Sequence, residues 1–190
     1  MQRLKIAGCV VALLLGSSVL AEPFKQPKTL EAEGFRDVFA QVAPDIYIAG
    51  QPTAQGLERV AQLGVKTVIS LRTSMEMDNR EIVPFDEPAK ISELGMQYVH
   101  IPLGGPDTPY NPAAVQTFTD ALSDARDLDG PVLFHCTVAW RATHLWTAYL
   151  IEEQGWSFAD AIAVAKQLNL GDLPLAGFLD QELTVVPEDD

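Results

Sequence analysis

Apolar and polar positions along this chain switch between two periods. Four short runs rich in β-branched and aromatic residues predict strands: residues 45–49 (DIYIA), 65–71 (VKTVISL), 97–101 and 132–135. The second is apolar enough to be buried on both faces of a parallel sheet. Between the runs the spacing becomes helical. Thr53 can cap a helix with Leu57, Val60 and Ala61 on one face, ended by Gly64. Residues 87–94 form a short helical stretch stopped by Gly95. Asn111, with Pro112 at the first helical position, opens a helix that buries Val115, Phe118 and Leu122. After Arg141, the positions Ala142, Leu145, Trp146, Tyr149 and Leu150 share a face, and Gly155 ends that helix. Ser157 with Asp160 marks the start of a last helix bearing Ala161, Ile162 and Ala165. Residues 73–84 are polar and predict a loop, as do residues 104–109 (GGPDTP). Residues 22–43 show no period and predict a mobile lead-in with room for one short helix.

Strands alternating with helices predict an α/β fold, a mainly parallel sheet of four to five strands flanked by helices on both faces. Sites in such sheets form at the carboxyl ends of strands, and Cys136 follows one of them directly.

The first residues follow a different logic. Arg3 and Lys5 precede an apolar run from Ile6 to Leu15, and Val19-Leu20-Ala21 makes a cleavage site before Glu22. This predicts a signal peptide over residues 1–21, too short in its apolar part for a comfortable membrane span. Ile6-Ala7-Gly8-Cys9 lies ahead of most of that run, the wrong place for a lipoprotein box. Cleavage would carry the net charge from −13 to −15, since the segment holds Arg3 and Lys5 and no acid. The mature protein is then expected in the periplasm or outside the cell. Its field disfavours nucleic acid and anionic membranes, so a phosphate site must rely on local groups. Of the two cysteines, Cys9 leaves with the leader, so Cys136 has no partner within the chain.

The segment Val132-Leu133-Phe134-His135-Cys136-Thr137-Val138-Ala139-Trp140-Arg141 carries the chemistry. A strand ends at a cysteine, a tight loop follows, and an arginine opens a helix. The amides of Thr137, Val138, Ala139 and Trp140 with the helix start suit an anion. Such surroundings lower a thiol pKa from about 8.5 into the range of roughly 3.5–7.5. Arg141 offers a planar fork for two phosphate oxygens. Cys136 would attack phosphorus and form a thiophosphoryl intermediate. Asp107, on the loop past another strand, is the candidate general acid or a turn-forming residue. Asp78, Glu81, Asp86 and Glu87 are the fallback acids. His135 either orients the loop or is a satisfied core histidine. His100 reads as structural, His144 as a helix-surface residue, and Arg72 as a salt-bridge partner or an attractor of anions. The three dispersed histidines make no metal motif, and no cofactor is expected.

The pattern IYIAGQPTAQGLERVAQLGVKTVISLR, then MQYVHIPL, then VLFHCTVAWRAT resembles small bacterial dual-specificity and tyrosine-phosphatase-like proteins. Among these are the phosphatase-like domain of β-lactamase-hydrolase-like proteins and phosphatase domains linked to NAD kinase. The resemblance spans roughly residues 44–168. It implies a cysteine-phosphatase fold, Cys136 as nucleophile and Arg141 as phosphate ligand. The four residues between Cys136 and Arg141 match this bacterial group, where ordinary tyrosine phosphatases have five; the loop contains no glycine, and Ala142 follows the arginine. The domains expected are the leader over 1–21, a lead-in over 22–43, a phosphatase-like domain over 44–185 and an acidic tail over 186–190. The function expected is hydrolysis of phosphoric monoesters on an unidentified phosphorylated substrate, without nucleic-acid partners or stable membrane association. The rivals are a rhodanese-like sulfurtransferase, which also sets a cysteine on a short loop, and an anion-binding module with weak turnover.

Overall fold

The computed structural model describes residues 22–128, 130–171 and 174–183. The predicted leader and acidic tail lie outside them. A six-stranded sheet has the order β1-β2-β3-β6-β4-β5. Its parallel part is the predicted one: β3 (Ile46–Ala49), β4 (Thr67–Ser70), β5 (Gln97–His100) and β6 (Val132–His135). The other two strands correct the reading of residues 22–43. That stretch holds β1 (Lys28–Thr29) and β2 (Phe39–Ala43), and β2 adds to β3 antiparallel. Phe39 and Val42 are fully buried, so the stretch completes the sheet and its core instead of leading into it.

Side-chain alternation sends each strand into two cores. Ile46, Ile48, Ile69, Val132 and Phe134 pack on one face with helices α4 (Pro112–Arg126), α5 (Trp140–Glu152), α6 (Phe158–Ala165) and α7 (Leu175–Leu179). Tyr47, Ala49, Val68 and Leu133 face the other way, toward α1 (Ala54–Gln62) and α3 (Glu87–Glu93). The anticipated caps are in place: Thr53, Asn111 and Ser157 accept from the amides of Gly56, Ala114 and Asp160. The residues predicted as a 73–84 loop include helix α2 (Ser74–Asp78). Thr73 and Glu76 close a reciprocal capping box there, which supports a single turn with little burial of its own. Among the described residues no helix is long and apolar enough to cross a membrane.

Candidate active site

Strand β6 lies in the middle of the sheet, between β3 and β4, and ends at His135. Cys136 follows, 1% exposed, at a cavity of about 420 Å³. The loop supplies Thr137, Val138, Trp140 and Arg141 to the same lining. Ala139 makes the turn into α5 with φ 63°, the left-handed region where a glycine would be expected. The helix starts with no side-chain cap, so its first amides remain available at the cysteine end. Neighbouring segments hold the loop in shape. The Gln51 amide donates to the Thr137 carbonyl at 3.0 Å, and Asn169 Nδ2 donates to that of Val138 at 2.6 Å. Gly50 bridges Val138, and a Cβ at Gly50 would collide with the Arg36 carbonyl oxygen.

Arg141 is the next constraint. Its Nη1 donates to the carbonyl of Leu103 at 2.8 Å and to Glu76 Oε2 at 2.8 Å. Nη2 donates to Glu76 Oε1 at 2.7 Å and to Thr137 Oγ1 at 3.1 Å. Burial opposes the guanidinium charge most strongly, but the Glu76 hydrogen bonds and the charges of Cys136, Glu76 and Tyr110 together outweigh it and raise the Arg141 pKa. For Glu76, burial acts upward and is overcome by Arg141 and the Thr73 amide, which bring its carboxyl down to about 2. Glu76 is therefore an anion at neutral pH and has no proton to give. The fork expected to meet two phosphate oxygens meets a carboxylate. An incoming oxygen must approach through Nε–H or displace Glu76.

Behind the loop lies a second polar layer. His135 Nε2 sits 3.0 Å from Glu87 Oε1, both side chains fully buried. Glu87 also accepts from Gln51 Nε2, and Gln51 Oε1 accepts from Arg72 Nη1 at 2.7 Å. Burial pushes the Glu87 carboxyl up, and His135, Gln51 and Arg72 together bring it below its usual value. His135 is a buried histidine with a carboxylate partner at Nε2, and among the described residues its Nδ1 has no hydrogen-bond partner, so its ring makes no direct hydrogen bond to the loop. Asp86 caps α3 through the Ala89 amide and Glu87 is paired with His135, and neither lines the cavity.

The structure gathers Cys136, Thr137, Val138, Trp140 and Arg141 at the cavity and places Ala139 and His135 behind it. Asp107 is exposed in the turn bridged by Gly105 and Thr108. Its loop reaches the lining through Gly104 and Tyr110, while Asp107 itself does not line it. His144 corrects the surface reading. It is fully buried, with Nδ1 2.8 Å from the Trp140 carbonyl and Nε2 2.9 Å from that of Gly171. His100 Nε2 lies 2.7 Å from the Arg72 carbonyl, a structural role as expected. Glu76 and Tyr110 were not anticipated. The signal for Glu76 was present as the capping-box spacing of Thr73 and Glu76; Tyr110 carried none. Among the described residues no three His, Cys, Asp or Glu side chains group as a metal site.

Comparison with known proteins adds the family context. Residues 36–172 match the family model described as DSP-PTPase phosphatase fused to NAD+ kinase. The dual specificity protein phosphatase TpbA of Pseudomonas aeruginosa (strain UCBPP-PA14) is 27% identical over 184 residues, which cover 95% of this chain and 74% of TpbA. A crystal structure of P. aeruginosa TpbA with a Cys→Ser substitution, in complex with pTyr, aligns with a TM-score of 0.58 at 22% identity, covering 75% of this chain and 78% of that one. Kinase associated phosphatase, its catalytic site cysteine replaced by serine, aligns at 0.55 with 13% identity over 75% of this chain and 83% of its own. At these identities the two structures establish the shared fold.

Proposed function

The chain belongs to the family described as DSP-PTPase phosphatase fused to NAD+ kinase, and from that premise we propose that Cys136 is the nucleophile of this cysteine-based phosphatase and Arg141 its phosphate ligand. The observation that carries the reading is the position of Cys136. It lies at the end of a central strand, beneath an uncapped helix start and on the same cavity as a fixed guanidinium.

In the proposed reaction the Cys136 thiolate attacks phosphorus, the bond to the ester oxygen breaks, and that oxygen leaves with a proton from an acid. Water then attacks the thiophosphoryl phosphorus and gives one proton back to the acid, the P–S bond breaks, and the thiolate returns with inorganic phosphate released. Asp107 is the proposed acid, because its loop forms the rim and Glu76 holds no proton near neutral pH. The uncapped start of α5 is the proposed donor to the developing charge. His135 supports the loop through Glu87.

The proposed substrates are phosphoric monoesters, with phosphotyrosine favoured. Tyr110 and Trp140 give the cavity an aromatic rim, and pTyr is what the P. aeruginosa TpbA complex contains. The basic start, apolar run and Val19-Leu20-Ala21 site support export to the periplasm. The acidic net charge supports the absence of nucleic-acid and stable membrane partners. Family membership does not favour the sulfurtransferase reading.

The test is a turnover assay across phosphotyrosine, phosphoserine, nucleotides and thiosulfate, with Arg141→Lys beside the natural protein. Phosphotyrosine hydrolysis reduced at least about a hundredfold by Arg141→Lys is expected, since a point charge cannot replace a planar fork. A natural rate in that variant would remove Arg141 from the site.

A further inference from the structure

We infer that Arg72 is a second cation of the phosphate site, a positioning residue that acts on the ligand through Glu76 and Arg141. The inference rests on the roles proposed for Cys136 and Arg141 and begins from a charge problem within them. Glu76 meets Arg141 through both carboxylate oxygens, at 2.7 and 2.8 Å. An ionised carboxylate so placed cancels the one guanidinium at the cavity. The chain as a whole is acidic, with a net charge of −13, so its long-range field does not replace what Glu76 removes.

Arg72 supplies the missing charge. The register Ser70↔His135 between β4 and β6 carries Leu71 and Arg72 out beside Cys136 and Thr137. The Leu71 amide donates to the His135 carbonyl at 2.9 Å. Arg72 is 1% exposed, and its Nη2 lies 3.5 Å from Glu76 Oε1. Each nearby carboxylate has a closer partner, Arg141 for Glu76 and His135 for Glu87, and Nη1 of Arg72 is spent on the neutral Gln51. Among the described residues its Nε has no hydrogen-bond partner. A buried charge held without a dedicated counter-ion is expensive. Burial accordingly lowers the Arg72 pKa despite Glu76.

The arrangement has a consequence for the ligand. Arg72, Glu76 and Arg141 together carry one positive charge, and Glu87, held by His135 and set apart from Arg72 by the neutral Gln51, offsets only part of it, so Arg141 keeps a field for a phosphate dianion. A negative charge on Cys136 and the Arg72 guanidinium attract one another across this floor. The other charged or titratable groups facing this floor are Glu76 from α2, Glu87 from α3, His135 from β6, Arg141 from α5, His100 at the end of β5 and Tyr110 from the rim loop. Loss of the Arg72 charge leaves Glu76 and Glu87 less compensated, so the charge around Cys136 becomes more negative, and protons that the two carboxylates take up in response offset only part of that change.

The experiment uses the full chain with Arg72→Gln and Arg72→Lys. It reads competitive inhibition by inorganic phosphate and the pH midpoint of Cys136 alkylation by iodoacetamide. In Arg72→Gln, phosphate inhibition should weaken roughly tenfold or more, the scale of one unit charge across a partly buried site. The alkylation midpoint should move to higher pH. Arg72→Lys keeps the charge and should restore most of both. If circular dichroism finds Arg72→Gln unfolded, Arg72→Met takes its place, because it keeps the apolar stem and drops the charge without leaving a buried polar head, and should shift both readouts the same way. Unchanged inhibition and midpoint in a folded variant would overturn the inference, as would equal losses in Arg72→Lys and Arg72→Gln. Cys136→Ser is measured alongside. Turnover surviving there would remove the roles the inference rests on, whereas a dead Cys136→Ser beside an unaffected Arg72→Gln would sink the Arg72 inference alone.

Discussion

At the scale of single residues, the loop shows both what its sequence disclosed and what it concealed. The missing glycine was legible as a strain problem, and the strain falls on Ala139 at φ 63°. Alanine has the smallest Cβ that this conformation must accommodate, so the cost is about 1–2 kcal/mol. Ala139→Gly should therefore keep both activity and fold, whereas Ala139→Val, β-branched in a left-handed position, should cost about 2–3 kcal/mol in urea unfolding. A Val variant as stable as the natural protein would show the turn to be unstrained. Glu76 invites a pH test. Its folded pKa of about 2 lies below the ordinary 4.5. A depressed carboxylate contributes stability that is fully present above the unfolded pKa and lost as pH falls through the folded one. Urea unfolding of Glu76→Gln against the natural protein should show its largest deficit above pH 4.5, shrinking toward pH 2. A deficit that stays constant over that window would mean the Glu76 charge is not what holds Arg141.

Secondary-structure elements were legible where they bury a periodic face or end on a cap. Helices α1, α4 and α5 and the parallel strands came from that pattern. Helix α2 did not, because Ser74–Asp78 buries only Met77 and its hold on the molecule is polar, through Thr73 and Glu76. Strand β2 was missed for the opposite reason: residues 39–43 are buried at four of five positions and interrupted by Gln41, without the clean alternation of a half-buried strand. Residues 104–109 were read as a loop and are one, but Asp107, expected to reach the site, does not line the cavity, while Gly104 and Tyr110 do. Asp107→Asn tests the element as a proton source. If it is the acid, hydrolysis of poor leaving groups should fall by roughly a hundredfold and that of activated aryl phosphates far less. Equal loss on both substrate types would make Asp107 a turn residue.

For the whole molecule, the alternation of β3–β6 with α1, α3, α4, α5 and α6, the parallel core and the position of Cys136 at its rim followed from hydrophobic period and turn chemistry, whereas β1, β2, α2 and α7, which lies beyond the helix expected to be last, did not. The polar layer beneath the loop did not. Gln51, Arg72 with Glu76, Glu87, and His135 with Arg141 come from four separate stretches of the sequence and meet because β4 and β6 are neighbours and α2 and α3 close over their ends. Nothing local in the chain announces such a meeting, whereas Cys136 and Arg141 announced themselves by lying on one strand–loop–helix unit. The fold thus joins a locally encoded reaction centre to a non-local layer of charge. The most direct test of the centre is chemical trapping. An aryl phosphate mixed with the full chain and quenched in acid within one turnover should leave a phosphoryl group on the peptide containing Cys136, and Cys136→Ser should show neither label nor turnover. Label on another residue, or full turnover by Cys136→Ser, would contradict Cys136 as the nucleophile.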